Sequence, residues 1–318
     1  MTWGDPRAVV LMGAQRFDPN LIEAVTELRV EGRIAAITAG WQEREEEDDD
    51  LAEHLGDRTV NLRLHARAEE VFKQDPDLAA LHRERQAVLR HRQDFYRVRL
   101  EHALEAQYVI DQRHAPDDIL EDEARTSILA IQEIDRMHLE QCARDHAEFE
   151  REAQPDKREV LLRHREEIAA ILSDCDAIAI AGGHVATLLN RLRLFKIETL
   201  ARGKVVFAWC GGAMVVCDRV VLFHHAPPQG PGAAEVLDAG LGLAPGIVAL
   251  PQPELRLRFD DEERLMVMAR RFAPAKCLVL PARSRVAWLR DGPTISHGAS
   301  VLELDGAHRP FVSSGLAR

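Results

Sequence analysis

The chain has 318 residues, of which 46% are hydrophobic, and its formal net charge at pH 7 is −12. This length predicts one large or two small domains with a substantial core. The negative charge argues against nucleic acid as the main partner, because a phosphate backbone selects basic surfaces. The five cysteines have no paired spacing, which indicates free thiols in a reducing cytoplasm and no structural zinc site. Since no apolar segment approaches membrane-spanning length, we expect a cytoplasmic protein without a membrane partner.

The first 65 residues alternate between apolar strands and an amphipathic helix. Buried-strand patterns occupy 8–12, 33–38 and 60–64, and the short connections predict a right-handed parallel unit. Sheets of this kind hold their ligand sites at the carboxyl ends of the strands, where the Ala39-Gly40-Trp41 turn falls. The acidic run 45–50 that follows is typical of a solvated loop.

Residues 66–172 have a different composition. Glycine is absent, prolines divide the segment at Pro76, Pro116 and Pro155, and apolar residues recur at three- and four-residue steps. This pattern predicts long antiparallel helices, the first roughly 50 Å long at about 1.5 Å per residue. Two interpretations remain open: a hairpin that packs on itself, or an arm that joins copies of the chain or holds a partner protein. In the second case we expect at least a dimer, and a sheet that still folds when 66–172 is replaced by a short linker.

The strand pattern resumes in the second part of the predicted sheet domain, residues 173–303. Apolar runs predict strands at 177–181, 205–208, 219–223, 248–251 and 277–281. Residues 262–272 predict a helix, and 304–318 have the composition of a polar C-terminal tail. The predicted fold class is α/β: a three-layer sandwich with a mainly parallel sheet, carrying a long helical insertion.

The stretch 204–217 carries the strongest chemical signal. An apolar strand at 205–208 leads directly into Trp209-Cys210-Gly211-Gly212-Ala213 and an apolar helical segment. A nucleophile flanked by small residues at a strand-to-helix break is typical of a nucleophile elbow, and a helix N-terminus behind it lowers the pKa of a thiol. The alternative is a buried cysteine in an ordinary strand–turn–helix.

This stretch resembles the G-x-S-A-G-A elbow of the peptidase E and cyanophycinase family, whose fold is like that of class I glutamine amidotransferases. Cys210 stands where that family has serine, and Gly211 replaces its usual alanine. The segments that agree in chain order are 9–13, 39–41, 181–184 and 240–243. The resemblance leaves out 66–172, and it implies an amide-hydrolysing site that uses neither a metal nor another cofactor.

The resemblance also implies an oxyanion hole. The turn at Gly183 and His184, together with the N–H of Gly211, would supply its donors. Backbone donors near developing negative charge are what acyl transfer requires.

Further residues are assigned to substrate binding. Arg256 and Arg258 match an R-x-R pattern of the family and would face an acidic group of the substrate, since guanidinium pairs well with carboxylate. Ordinary surface charge is the alternative for both. Trp41 is assigned to the same binding region.

The base of the catalytic triad is replaced. The family's histidine falls on Gln252, with Glu254 two residues later, and glutamine cannot accept a proton near pH 7. A relocated base for Cys210 is available from His224 or His225, which follow the next predicted strand. Otherwise the triad is degraded, and the pocket binds a ligand without turning it over.

Two functional hypotheses follow. The first is a weakly catalytic or non-catalytic relative of the family that binds an acidic peptide-like ligand or a partner protein and assembles through 66–172. The second is an active cysteine hydrolase of peptide or side-chain amides, with Cys210 as nucleophile and His224 or His225 as base. A glutamine-hydrolysing subunit is disfavoured, because that chemistry also relies on the missing histidine.

Overall fold

The structure, a computed structural model, describes residues 6–223, 233–290 and 294–312. Its helices are α1 (Leu21–Glu27), α2 (Asp49–His54), α3 (Leu64–Gln74), α4 (Pro76–Asp111), α5 (Asp117–Ala153), α6 (Glu159–Ser173), α7 (Val185–Leu194), α8 (Ile197–Leu200), α9 (Gly211–Val215), α10 (Pro253–Arg256) and α11 (Glu262–Phe272). Its strands are β1 (Ala8–Met12), β2 (Arg33–Ile37), β3 (Thr59–Asn61), β4 (Cys175–Ile180), β5 (Val205–Trp209), β6 (Arg219–Leu222), β7 (Glu235–Ala239), β8 (Ile247–Pro251), β9 (Lys276–Leu280), β10 (Arg285–Leu289), β11 (Ile295–His297), β12 (Ser300–Leu302) and β13 (His308–Pro310).

A seven-stranded sheet with the order β11-β10-β1-β5-β4-β2-β3 forms the centre of the molecule. The five strands from β1 to β3 in this order are parallel, and β10 and β11 add an antiparallel edge. Alternate residues of β5 enter opposite cores: Val206 and Ala208 lie in one hydrophobic cluster, and Val205 and Phe207 lie in another. Helices cover both faces, so the fold is the predicted mainly parallel three-layer α/β sandwich.

Four of the later strands lie outside this sheet. β8 and β9, predicted as core strands, pair with each other and belong to a second sheet with the order β13-β12-β9-β8. The predicted polar tail begins inside this part of the fold, because β13 pairs with β12 and the Phe311 side chain is buried. Strands of three residues carry too little apolar periodicity to be visible in the sequence.

The helices α4 and α5 form the predicted pair of long helices, which we call the hairpin (76–153). Asp75 caps α4 by accepting the N–H of Leu78 at 2.9 Å, and Pro76 is the first helical residue. The flanking helices α3 and α6 were grouped with the hairpin in the sequence, but they pack against the central sheet. Val71 and Leu161 are fully buried in the main core.

A buried ion pair fastens the hairpin to the rest of the molecule. Arg271 of α11 donates from Nε and Nη2 to both oxygens of Asp135 on α5, each at 2.7 Å. Tyr96 of α4 donates its O–H to Asp135 at 2.8 Å and accepts the N–H of Val236 of β7 at 3.0 Å. Two hairpin helices, a strand and α11 therefore meet at one fully satisfied polar cluster.

A second polar contact joins the hairpin to α7 and β7. Asp238 of β7 is buried, and its Oδ2 lies 2.8 Å from Nε2 of His146 on α5. The same oxygen accepts a hydrogen bond from Nη1 of Arg193 on α7 at 2.6 Å. These partners hold the pKa of Asp238 well below its usual range, against the opposing effect of burial.

The sequence predicted a solvated loop for the acidic run 45–50, but one residue of this run is not solvated. Glu45 is buried, and its two carboxylate oxygens accept the N–H groups of His65 and Ala66 at 2.9 Å each. It thereby satisfies two of the backbone N–H groups at the start of α3, which have no partner within the helix. None of the described helices is long and apolar enough to cross a bilayer.

Candidate active site

The carboxyl ends of three adjacent strands carry the predicted site. In the central sheet β5, β4 and β2 are neighbours, so the turns that follow them lie side by side. These turns contain Cys210, the glycine pair at 182–183 and the segment 39–42. The N–H of His184 donates to the carbonyl of Gly40 at 2.7 Å, which joins two of the turns.

Cys210 has the strained backbone of an elbow. Its φ is 50° and its ψ is −126°, a conformation that side-chain-bearing residues adopt rarely and that occurs disproportionately at functional sites. The crowding explains the small neighbours. A Cβ on Gly212 would lie 2.2 Å from the carbonyl oxygen of Ile180, and one on Gly182 would lie 2.5 Å from the Cβ of Cys210.

Two backbone donors lie beside the elbow. The N–H groups of Gly183 and Gly211 have no hydrogen-bond partner within the described part of the chain. Gly183 has a φ of 106°, and a Cβ there would lie 2.3 Å from the carbonyl oxygen of Gly40. His184 was predicted to supply a donor to the oxyanion hole, but its N–H is already bonded. Its Nδ1 caps α7 by accepting the N–H of Thr187 at 3.2 Å.

The thiol of Cys210 is half-buried, whereas the other four cysteines are buried. Burial raises the pKa of Cys210 to about 11, and the nearby positive charge of Arg256 opposes this shift. The sequence predicted a lowered pKa instead. That prediction is wrong because α9 has only five residues and desolvation of the thiolate outweighs the stabilising charges. Among the described residues, Sγ of Cys210 has no hydrogen-bond partner.

Gln252 and Arg256 lie together after β8, and the charge of Arg256 acts on the thiol of Cys210. Gln252 follows β8 in a left-handed conformation, with a φ of 54°. Its Oε1 accepts a hydrogen bond from Nη2 of Arg256 at 3.1 Å, and the Arg256 guanidinium lies 5.7 Å from the centre of the Phe223 ring. Within 6–223, 233–290 and 294–312, no carboxylate forms an ion pair with Arg256.

The other predicted residues divide into three groups. Trp41 packs against the same hydrophobic cluster as Cys210, so the structure keeps it in this region. Glu254 and Arg258 are exposed, and Arg258 pairs with Asp260 at 2.9 Å, which agrees with ordinary surface charge. His224 and His225 lie outside the described residues.

The structure adds Gln42 to the site region. Its φ of 58° and ψ of −122° are close to the values of Cys210, and it lies in the segment that follows β2. Its Nε2 donates to Oγ1 of Thr187 at 3.2 Å, and that hydroxyl lies 2.9 Å from Nδ1 of His184. Backbone strain has no signature in the residue type, so the sequence held no signal for Gln42. No described cluster of histidine, cysteine and acidic residues could hold a metal ion.

No protein-family model and no curated protein matches the chain. Among solved structures, it is similar to a peptidase from an acI-B1 Actinobacterium, with 12% identity and a TM-score of 0.46, over 98% of this chain and 96% of the other. It is also similar to a putative peptidase E protein from Listeria monocytogenes EGD-e, with 12% identity and a TM-score of 0.42, over 92% of this chain and 98% of the other. Both likenesses are distant.

Proposed function

We propose that this chain is a weakly catalytic or non-catalytic relative of the peptidase E and cyanophycinase family, and that its Cys210 site binds a ligand with an acidic group. One observation carries the proposal. The elbow and its free backbone donors are present, but the position of the base holds Gln252, which is bonded to Arg256.

The thiol is poorly suited to attack an amide without help. With a pKa of about 11, it is almost entirely protonated at pH 7.5. An active cysteine hydrolase removes this handicap with an adjacent base, and Gln252 cannot take a proton.

Arg256 supports the binding of an acidic group. It is half-buried, it interacts electrostatically with Cys210, and its described contacts are neutral: the amide of Gln252 and the ring of Phe223. Burial lowers the pKa of Arg256, and no described carboxylate offsets the loss of water around the cation. A ligand carboxylate beside Cys210 would supply the missing charge.

The alternative is an active cysteine hydrolase with His224 or His225 as a relocated base. The strained Cys210 and the unpaired N–H groups of Gly183 and Gly211 favour it, since strain and free donors persist where chemistry uses them.

The rate of Cys210 alkylation as a function of pH separates the two candidates. We expect wild type, His224→Ala and His225→Ala to share one profile with a midpoint near the thiol pKa of about 11. In Gln252→His we expect the midpoint to move down, because a titratable imidazole then stands beside the thiol. A wild-type midpoint well below the free-thiol value of about 8.5, lost in one histidine variant, would establish the alternative.

The role of Arg256 has its own test. Titration with aspartyl dipeptides should show binding to the wild type that Arg256→Gln weakens by about tenfold or more, which corresponds to one lost charge-assisted pair. Arg258→Gln is the matched control, because Arg258 is a neighbouring arginine on the surface. Equal affinities for all three proteins would contradict the proposed site.

We also propose that the chain assembles as a homo-oligomer through the hairpin. Its outward side carries large apolar side chains that the chain itself leaves in water, on both α4 and α5. Unmatched apolar surface of this kind marks interaction sites in soluble proteins.

A further inference from the structure

The outward face of α4 carries an apolar stripe that is interrupted by polar residues. Val88, Phe95, Val98 and Val109 are 38%, 68%, 52% and 42% exposed. Their numbers follow a seven-residue repeat, in which 88, 95 and 109 occupy one core position and 98 occupies the other. At about 100° per residue, the stripe lies roughly 140° around the helix from the fully buried Tyr96 and Leu100. The hairpin therefore cannot cover the stripe by packing on itself.

The charges beside the stripe are sorted by sign. Asp94 and Glu101 lie along one flank, and Arg92 and Arg99 lie along the other. Arg92 pairs with Asp145 of α5, whereas Arg99 forms no ion pair with any described residue.

We propose that this stripe binds the same stripe of a second copy of the chain, with the two α4 helices parallel and in register. The inference rests on the proposed assembly and specifies its surface and its orientation. In a parallel pair the acidic flank of one helix faces the basic flank of the other, which places Asp94 opposite Arg99 of the second copy, twice. An antiparallel pair would place acidic beside acidic and basic beside basic.

The symmetry of this arrangement is also consistent with the stripe. A two-fold axis along the stripe places Phe95 against Phe95 and Val88 against Val88, so a single patch serves both subunits. Polar residues occupy the other core positions of the repeat between Val88 and Val109, namely His91, His102 and Glu105. Polar residues at core positions restrict the register of the pair at some cost in stability.

Disulfide trapping tests the orientation in the full chain, with Cys210→Ala as background because the other four cysteines are buried. Parallel pairing predicts that Val88→Cys and Val109→Cys each form a linked dimer alone on oxidation. Leu129→Cys, at a comparably exposed position on α5, should not. If only a mixture of the Val88 and Val109 variants links, the helices are antiparallel and the inference is overturned, while assembly through the hairpin stands.

Charge reversal tests the pairing. Asp94→Arg and Arg99→Asp should each raise the dimer dissociation constant by about tenfold, and the double variant should restore it to within about threefold. Phe95→Glu should give a monomer in light scattering, and Leu129→Glu should leave the dimer intact. A monomeric wild type would overturn both the inference and the proposed assembly without affecting the Cys210 proposal. A dimer that is insensitive to Phe95→Glu would overturn the inference alone.

Discussion

Cys210 shows how residue type and environment contribute separately to reactivity. Its neighbours create the elbow, because only glycine fits against the carbonyl of Ile180 and the Cβ of Cys210 itself. Its pKa depends on how much water and charge surround the sulfur. Burial is the larger effect, and the Arg256 guanidinium recovers only part of it.

We therefore predict an intermediate reactivity for this thiol. Iodoacetamide should modify Cys210 faster than Cys175, Cys217 or Cys277, because those side chains are buried and burial also raises each of their pKa values. At pH 8 it should still react more slowly than free cysteine, whose pKa is about 8.5. Peptide mapping by mass spectrometry over a time course measures all four sites in one sample. Equal, slow labelling of all four would contradict the elbow.

At the scale of the elements, the hairpin is anchored by the buried cluster of Asp135, Tyr96 and Arg271. The Asp135 carboxylate receives three hydrogen bonds, two from Arg271 and one from Tyr96. Such a cluster contributes little net stability when complete, because desolvating the ions offsets their attraction. Removing one partner of the pair is costly, because the other charge is then buried without a partner.

Arg271→Met should accordingly lower the free energy of unfolding by about 3–5 kcal/mol, since it strands the Asp135 carboxylate in the core. Arg136→Met removes an exposed ion-paired arginine from α5, the helix that carries Asp135. It should lower the free energy of unfolding by no more than about 1 kcal/mol. Urea denaturation of the three proteins gives the comparison. Similar losses in both variants would mean that Asp135 finds another partner or is neutral.

The contact between α5, α7 and β7 should make stability depend on pH. The pKa of Asp238 is lower in the folded chain than in the unfolded chain, so its stabilisation is present above the unfolded value of about 3.9 and is lost as pH falls below it. In Asp238→Asn, the decrease in unfolding free energy below pH 4 should be shallower than in the wild type. The control is Asp156→Asn, which removes an exposed, ion-paired carboxylate whose pKa is also lowered; its profile should stay closer to the wild type. Identical slopes for all three proteins would contradict this role of Asp238.

At the scale of the whole molecule, the segment 66–172 cannot be removed without taking part of the main core with it. The helices α3 and α6 supply fully buried side chains to the main core, among them Val71, Leu161 and Ile168. Each such side chain contributes about 1.5–3 kcal/mol. Together they approach the total stability of an ordinary domain, about 5–15 kcal/mol.

Replacing 66–172 by a Gly/Ser linker should therefore abolish cooperative folding, contrary to the expectation from sequence. Replacing only 106–125, the far end of the hairpin, should preserve a sharp thermal transition, because most of this segment is exposed. Circular dichroism on both variants decides the matter. A folded sheet after the larger deletion would show that α3 and α6 are dispensable.

The sequence by itself determined the longer elements and the place where a strand breaks into a helix at Cys210. The strands at β1, β4 and β5, the two long helices and the break at Cys210 all follow from local patterns, because apolar periodicity and small residues act over a few positions. Through the resemblance it also predicted that Gln252 stands where the family has its base, and residue type alone decides that glutamine cannot take a proton.

Only the tertiary structure decided which of these features act together. It brought Arg256 to Cys210 while leaving Arg258 on the surface, buried Glu45 at the start of α3, and assigned α3 and α6 to the main core. It also reversed the predicted direction of the thiol pKa shift. Burial and charge at a site are sums over residues distant in the chain, and their distances exist only once the chain has folded.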